Sequence, residues 1–235
     1  SSDLTRQWLS QIEGRFKHVQ PILTPRFIPS CSDALMEKLS EIQKETGLPV
    51  QSHLSENPGE IEWVKELCPW SECYGDAYRH FDMLGGENCK TIMAHCVYSG
   101  EQEMQLLKEN GVWIAHCPFS NENLSSGIAP IREFLNRGLK VGLGSDVSGG
   151  SSDSIFRVMA DAVQASKMYW RLVDCTKKPL TLEEVFYMAT KGGGSFFGKV
   201  GSFEEGYALD AVVLDDSALK TPMSLTVRQR LERIC

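Results

Sequence analysis

Short apolar runs alternate with longer amphipathic stretches along most of this chain. The apolar runs predict strands at residues 19–27, 48–53, 91–95, 112–116 and 139–146. The amphipathic stretches predict helices at residues 3–17, 32–46, 58–68, 99–110, 127–137, 152–171 and 181–190. Strands separated by helices are typical of parallel βαβ units. Five such units fit either an open doubly wound sheet or part of a (β/α)8 barrel.

Local signals refine the helix starts and the irregular segments. Ser99 is predicted to cap the helix that follows it, and Thr181 with Glu184 has the pattern of a capping box. Residues 69–88 predict a loop with one short helix. The tail predicts a strand at 208–214, outside the repeat, and a short last helix at 224–233.

The predicted strands end in side chains that can carry chemistry: Arg26, His53, His95, His116 and Asp146. The carboxyl ends of parallel strands lie on one face, where barrel enzymes carry their catalytic groups. A single histidine at a strand end is more often a hydrogen-bonded core or rim residue than a ligand. Three of the five histidines in phase, followed by an aspartate, instead favour a functional site and the barrel architecture.

The residue types at these ends suit a metal-dependent hydrolase. Imidazole nitrogens and carboxylate oxygens are good zinc ligands. Glu56 lies three residues beyond His53, where its carboxylate could reach a water molecule beside the metal and move protons. The alternative for Glu56 is an acid that interacts with the dipole at a helix N-terminus.

Charge and motif content exclude several other classes. The formal net charge of −7 argues against a nucleic-acid backbone as the main partner. No apolar run approaches the roughly 18 residues of a membrane-spanning helix. The dinucleotide fingerprint, the phosphate-binding loop, the nucleophile elbow and the cytidine-deaminase zinc signature are all absent. Eight cysteines without a Cys-x-x-Cys pair predict reduced thiols and a cytoplasmic protein.

Four ordered motifs resemble the amidohydrolase superfamily, in its chlorohydrolase-like and purine-deaminase-like branch. They are Gln51-Ser-His-Leu-Ser-Glu-Asn57, Met93-Ala-His95, Ala115-His-Cys-Pro-Phe-Ser-Asn121 and Gly142-Leu-Gly-Ser-Asp146. Two flanking segments, 24–27 and 147–150, are similar to the members of that branch that act on guanine. The resemblance covers nearly the whole chain.

The resemblance implies a zinc-dependent catalytic group. His53 and Asp146 would be two ligands of one zinc ion, and Glu56 would shuttle protons. His95 would hydrogen-bond the attacking water or the substrate, and Asp146 would also accept the proton of that water. The implied reaction is the hydrolytic deamination of guanine to xanthine and ammonia.

The resemblance also implies a binding pocket for a small purine. Arg26 would hold the purine carbonyl oxygen, Phe27 would pack on the ring, and Gln51 would line the pocket. His116 lies on the strand of the His-Cys-Pro motif and is not expected to be a ligand. Two alternatives stay open: another aminated heterocycle as substrate, or a non-catalytic scaffold that has lost its metal. No nucleic-acid or membrane partner is expected, and a homodimer is left open.

The chain departs from the family pattern in two respects. Family members carry a His-x-His pair on the first barrel strand, and this sequence has none. The family barrel has eight strands, whereas about five βα units are predicted here. The expected fold is therefore a partial (β/α)8 barrel of the TIM type over residues 1–200. Residues 201–235 would be a remnant of the small β-sandwich and a C-terminal tail. The isolated chain would hold only two of the zinc ligands and bind the metal weakly.

Overall fold

The computed structural model describes residues 2–17, 19–218 and 220–235 as two compact units. The first unit comprises Ser1–Ala115 and Ala129–Lys140, and the second comprises His116–Ile128 and Val141–Cys235. The helices are α1 (Ser2–Ile12), α2 (Asp33–Thr46), α3 (Pro58–Leu67), α4 (Tyr74–His80), α5 (Glu101–Glu109), α6 (Pro118–Asn123), α7 (Ile131–Asn136), α8 (Ile155–Leu172), α9 (Leu182–Tyr187) and α10 (Val227–Ile234). The strands are β1 (Val50–Leu54), β2 (Thr91–His95), β3 (Trp113–His116) and β4 (Lys140–Leu143).

The sheet is parallel, as the alternation of strands and helices predicted. The pairing of β1 with β2 runs from Val50 opposite Thr91 to Leu54 opposite His95, and Ile92 of β2 lies opposite Trp113 of β3. The strand order follows the chain, β1-β2-β3-β4. The carboxyl ends of β1 and β2 therefore lie at the same edge of the first unit.

The strand predicted at 19–27 is wrong as a continuous strand. Only Leu23 forms a bridge, through its N–H to the Pro49 carbonyl at 2.9 Å and its carbonyl to the Gln51 N–H at 2.9 Å. Pro21 and Pro25 flank this residue and have no N–H group to donate to a sheet ladder. The segment therefore follows the edge of β1 without extending the sheet by a full strand.

The strand predicted at 208–214 is also wrong, because these residues have no regular secondary structure. Leu209, Val212 and Val213 are exposed, and Val213 retains 95% of its surface. No bridge partner lies beside this segment in the part of the second unit that the structure describes. An apolar alternating run forms a strand only where another strand satisfies its backbone groups.

Several helix signals have the predicted outcome, and one does not. The capping box of Thr181 and Glu184 is present at the start of α9, and the short helix predicted within 69–88 is α4. The prediction that Ser99 caps α5 is wrong. The capping position is Gly100, which has no side chain to form a cap bond. The Ser99 hydroxyl donates instead to the carboxylate of Glu103.

Each unit has its own apolar core. In the first unit, Leu54, Met93 and Ile114 of the three strands are fully buried, together with Leu107 of α5. In the second unit, Val158, Ala162 and Ala165 form the buried face of α8 at the spacing of an amphipathic helix. Burial of one such large aliphatic side chain contributes roughly 1.5–3 kcal/mol.

The glycines of the second unit allow a close backbone contact next to β4. A Cβ atom on Gly142 would lie 2.9 Å from the Cα of Gly193. Gly193 follows the π turn of Met188–Gly192. Gly142 therefore has a packing role, since a side chain at this position would push the backbone of Gly193 away.

Replacing Gly142 with alanine should lower the free energy of unfolding by about 2 kcal/mol, because overpacking against backbone cannot relax by a rotamer change. Urea denaturation of the full-length gene product measures this. Gly59→Ala is the matched control: its Cβ would meet only the Asn57 side chain at an ordinary 3.5 Å. Equal stability of the Gly142 variant and wild type would contradict the packing role.

No helix within the described ranges is long and apolar enough to cross a membrane. None of the eight cysteines, all of which lie within those ranges, is paired in a disulfide.

Candidate functional site

His53, the fourth residue of β1, has one ring nitrogen committed to the backbone. Its Nδ1 lies 2.6 Å from the carbonyl oxygen of Arg26. A carbonyl oxygen can only accept, so Nδ1 carries the proton and the lone pair is on Nε2. Metal-binding histidines are generally oriented by such a bond from the second ring nitrogen. The bond leaves Nε2 as the ring nitrogen with a lone pair, and that His53 is a metal ligand stays a prediction.

His95 ends β2 and lies against His53. The two rings stack with centroids 5.2 Å apart and an angle of 22° between their planes. His95 is buried, with 1% of its surface exposed. Its Nε2 lies 3.7 Å from Oε2 of Glu56, which is too long for a direct hydrogen bond but within reach of an ion pair. The structure thus brings together three of the predicted site residues.

Glu56 lies before α3, and its surroundings distinguish a role in proton transfer from that of an acid at a helix N-terminus. The helix is capped by Asn57, whose side-chain oxygen accepts the N–H of Glu60 at 2.9 Å. The acid of the first helical turn is therefore Glu60, whereas Glu56 precedes the cap and extends towards His95. Burial raises the pKa of Glu60, which accepts from the Tyr74 hydroxyl at 2.6 Å. The position of Glu56 is compatible with proton transfer.

A buried tyrosine that was not predicted from the sequence supports the end of β1. The Tyr78 hydroxyl donates to the carbonyl of His53 at 2.8 Å and lies 2.7 Å from the Ser52 hydroxyl. Ser52 in turn donates to the carbonyl of Pro25 at 2.7 Å. Burial raises the pKa of Tyr78, so its hydroxyl stays protonated at neutral pH. The available signal was the spacing of Tyr74 and Tyr78 by four residues, which puts both on one face of a helix.

The predicted substrate residues Arg26, Phe27 and Gln51 belong to the first unit, in β1 and the segment that lies along it. The guanidinium carbon of Arg26 is 5.9 Å from the centroid of the Phe27 ring, and Trp63 meets that ring edge-on at 6.3 Å. Arg26 is exposed, while its backbone carbonyl accepts from His53. The Gln51 amide donates to the Thr24 hydroxyl at 3.0 Å. These contacts leave the guanidinium accessible to a ligand.

Asp146 belongs to the second unit, three residues beyond β4. Its Oδ2 accepts a hydrogen bond of 2.5 Å from the hydroxyl of Ser120, a fully buried residue of α6. A Cβ atom on Gly149 would lie 2.6 Å from the Ser120 hydroxyl and 2.8 Å from Oδ2 of Asp146. Gly149, three residues after Asp146, therefore leaves room for this bond. Ser120 and Gly149 lie in the motifs that resemble the family, but neither was predicted to have a role.

His116 ends β3 and is 2% exposed, and its carbonyl accepts the N–H of Gly144 at 2.9 Å. That His116 is not a ligand, and that Asp146 is one, both stay predictions.

Strained backbone is concentrated at the strand ends. Six non-glycine residues of the described chain have a positive φ, and four of them end or follow β1, β2 and β4. These are Ser55 at 47°, His95 at 73°, Cys96 at 50° and Asp146 at 44°. Each such residue costs about 1–3 kcal/mol and persists only where its surroundings hold it, as is frequent in active sites.

The described side chains supply only part of a metal-binding site. Among residues 2–17, 19–218 and 220–235, no group of three or more histidine, cysteine, aspartate or glutamate side chains could hold a metal. Zinc sites generally use three or four protein ligands. His53 suits one ligand position, and the described residues do not supply a complete set.

Parallel strands with imidazole and carboxylate groups at their carboxyl ends are typical of barrel hydrolases. A model of the amidohydrolase family matches residues 5–231. The chain belongs to this family.

Individual relatives agree with this assignment. A guanine deaminase of Dictyostelium discoideum is 44% identical over 207 residues, which are 87% of this chain and 45% of that protein. A crystal structure of guanine deaminase from C. acetobutylicum, with guanine bound in its active site, superposes with a TM-score of 0.94 and 49% identity. It covers 99% of this chain and 55% of its own.

A zinc-bound adenosine deaminase from Xanthomonas campestris shares the fold, with a TM-score of 0.83 and 23% identity over 97% of this chain and 51% of its own. The chain thus spans about half the length of the relatives that it matches. Its fold is that of part of an amidohydrolase barrel.

Proposed function

We propose that this chain is part of an enzyme that hydrolyses guanine to xanthine and ammonia. The observation that carries the proposal is the group formed by His53, His95 and Glu56 at the carboxyl ends of two adjacent parallel strands. The similarity to guanine deaminases supports guanine as the substrate, since the C. acetobutylicum enzyme binds it in its active site.

The metal of the proposed enzyme is one zinc ion. His53 would bind it through Nε2 and Asp146 through its carboxylate, together with ligands that the described residues do not supply. When bound, zinc would lower the pKa of water enough to supply a hydroxide nucleophile at neutral pH. The bond from His53 Nδ1 to the Arg26 carbonyl keeps the ring in the tautomer that a ligand requires.

The acid–base steps are assigned to the chain's own side chains. Glu56 would move one proton of the attacking water to the ring nitrogen beside the amine-bearing carbon. Asp146 would accept the other proton of that water and pass it to the amine, which leaves as ammonia while the new carbonyl forms. His95, with Nε2 at 3.7 Å from the Glu56 carboxylate, would hydrogen-bond the attacking water or the substrate.

The substrate pocket is proposed at the segment before β1. The guanidinium of Arg26 presents a fork of donors to the purine carbonyl oxygen. Phe27 would stack on the purine ring, and Trp63 meets the Phe27 ring edge-on. Gln51 would line the pocket. A flat base with a carbonyl oxygen suits this pair better than one without.

Residues 1–200 would belong to the catalytic barrel, and residues 201–235 to the remnant of the small sandwich and the tail. The protein would work in the cytoplasm on a small purine.

The proposal is tested by incubating the full-length gene product, loaded with zinc, with guanine, adenine, a pterin and an aminotriazine. Ammonia release and the ultraviolet spectrum of xanthine report the reaction. We expect guanine to have the highest kcat/KM. No ammonia from guanine, or a higher kcat/KM on another base, would overturn the proposed substrate.

Replacing His53 with alanine should remove most of the zinc from the full-length protein, because one ligand and its oriented lone pair are lost. Elemental analysis after dialysis measures the metal. His80→Ala is the matched control, since the His80 ring packs on Trp70 at 4.4 Å and is not placed at a strand end. A His53 variant that retains wild-type zinc would exclude His53 as a ligand.

A further inference from the structure

A buried carboxylate on α5 is not used by the mechanism described above. Glu103 is 2% exposed and accepts three hydrogen bonds. Its Oε2 accepts from the hydroxyls of Ser55 at 2.8 Å and Ser99 at 2.5 Å, and its Oε1 accepts from the N–H of Gly75 at 2.8 Å. Every donor belongs to a different segment, so one side chain ties three segments of the first unit together.

Ser55 is the donor that links this carboxylate to the candidate site. It immediately precedes Glu56 and has a φ of 47°, a conformation that serine seldom adopts without support. Its carbonyl accepts the N–H of Tyr98 at 3.0 Å, and its hydroxyl is bound by Glu103. Two hydrogen bonds therefore hold the turn at Ser55, one to its carbonyl and one from its hydroxyl. The direction of the chain at Glu56 depends on this turn.

We propose that Glu103 is a positioning residue, which holds Ser55 in its left-handed conformation and so keeps the Glu56 carboxylate beside His95. The proposal rests on the proposed function, in which Glu56 moves the proton. Glu103 acts through Ser55 and has no contact with the reacting atoms.

The energetics favour a role beyond packing. A buried carboxylate is costly unless it is fully hydrogen-bonded. Burial raises the pKa of Glu103, and the bonds from Ser99, Ser55 and Gly75 oppose that rise. A leucine of similar size would fill the same space but could not accept a hydrogen bond from any of these three donors. The carboxylate is the group that can accept from Ser55 and Ser99 at the same oxygen.

The test compares two serine variants that each remove one hydroxyl from the same carboxylate oxygen. Ser55→Ala breaks the link to Glu56, whereas Ser99→Ala leaves it intact. In the full-length, zinc-loaded enzyme we expect Ser55→Ala to lower kcat on guanine by about 10- to 100-fold, with KM changed by less than about threefold. A displacement near 1 Å of a catalytic group has costs of this order. Ser99→Ala should change kcat by less than about threefold.

Glu103 itself is tested by Glu103→Leu, which we expect to lower kcat at least as much as Ser55→Ala. Glu103→Gln keeps an amide oxygen as acceptor and should restore a large part of the loss. Thermal melts of all variants separate activity from folding. If Glu103→Leu does not fold, the two serine variants still decide the proposal. Equal losses of kcat in both serine variants, or no loss in either, would overturn it.

Hydrogen exchange makes this test independent of the reaction. The amides of Glu56 and Asn57 should exchange about tenfold faster in Ser55→Ala than in wild type or Ser99→Ala. If the wild-type enzyme does not deaminate guanine, the proposed function fails while the exchange data still decide whether Glu103 holds this turn. Unchanged exchange in Ser55→Ala would refute the positioning role.

Discussion

Replacing Glu56 with glutamine is expected to lower kcat on guanine by about three orders of magnitude, within the range of general acid–base catalysis. Glutamine has nearly the same shape but cannot carry the proton that the ring nitrogen must receive. Substrate affinity should change little, because the purine contacts are assigned to Arg26, Phe27 and Gln51. Steady-state kinetics of the zinc-loaded, full-length enzyme measure both quantities.

The control for this variant is Glu62→Gln, an exposed acid on α3. It removes one negative charge a short distance along the chain and should leave kcat unchanged. A Glu56 variant that is folded, carries its zinc and keeps kcat within about tenfold of wild type would show that another group moves the proton.

Replacing Arg26 with methionine is expected to lower kcat/KM on guanine by roughly 30- to 1000-fold. A charged hydrogen bond to the purine oxygen stabilises the transition state by about 2–4 kcal/mol, and methionine cannot donate one. The backbone carbonyl of Arg26, which accepts from His53, is unaffected by the substitution. The change therefore isolates the guanidinium, and zinc content should stay at the wild-type value.

The control for the arginine is Arg15→Met, which removes an exposed guanidinium beyond α1. If Arg26 only stabilises the rim of the barrel, its variant would melt at a lower temperature and the surviving enzyme would have wild-type kinetics. Kinetics, metal content and thermal melts of the same preparations distinguish the two. Unchanged kcat/KM in a folded, zinc-loaded variant would remove Arg26 from the substrate site.

The parallel sheet and two of its histidines were predictable because the signals for them are local. A strand such as Val50–Leu54 is bounded by a helix end and a helix cap within a few residues, and its apolar content is visible in the chain. His53 and His95 follow from the rule that parallel strands end on one face. The failures at 19–27 and 208–214 have the opposite cause. Apolar content suggested a strand in both places. Prolines prevented a full ladder at 19–27, and no bridging partner lies beside 208–214 in the described part of the second unit.

The supporting contacts of the site could not be read from the chain, because their partners are far apart in sequence. Tyr78 reaches the His53 carbonyl across 25 residues, Ser120 reaches Asp146 across 26, and Ser55 reaches Glu103 across 48. Ser99 shows the same limit locally: its position predicted a helix cap, and a buried carboxylate took its hydroxyl instead. Sequence periodicity places a side chain at a strand end, since backbone geometry repeats along the chain. Which oxygen or hydroxyl then holds that side chain depends on distances between elements, and those arise only when the elements pack.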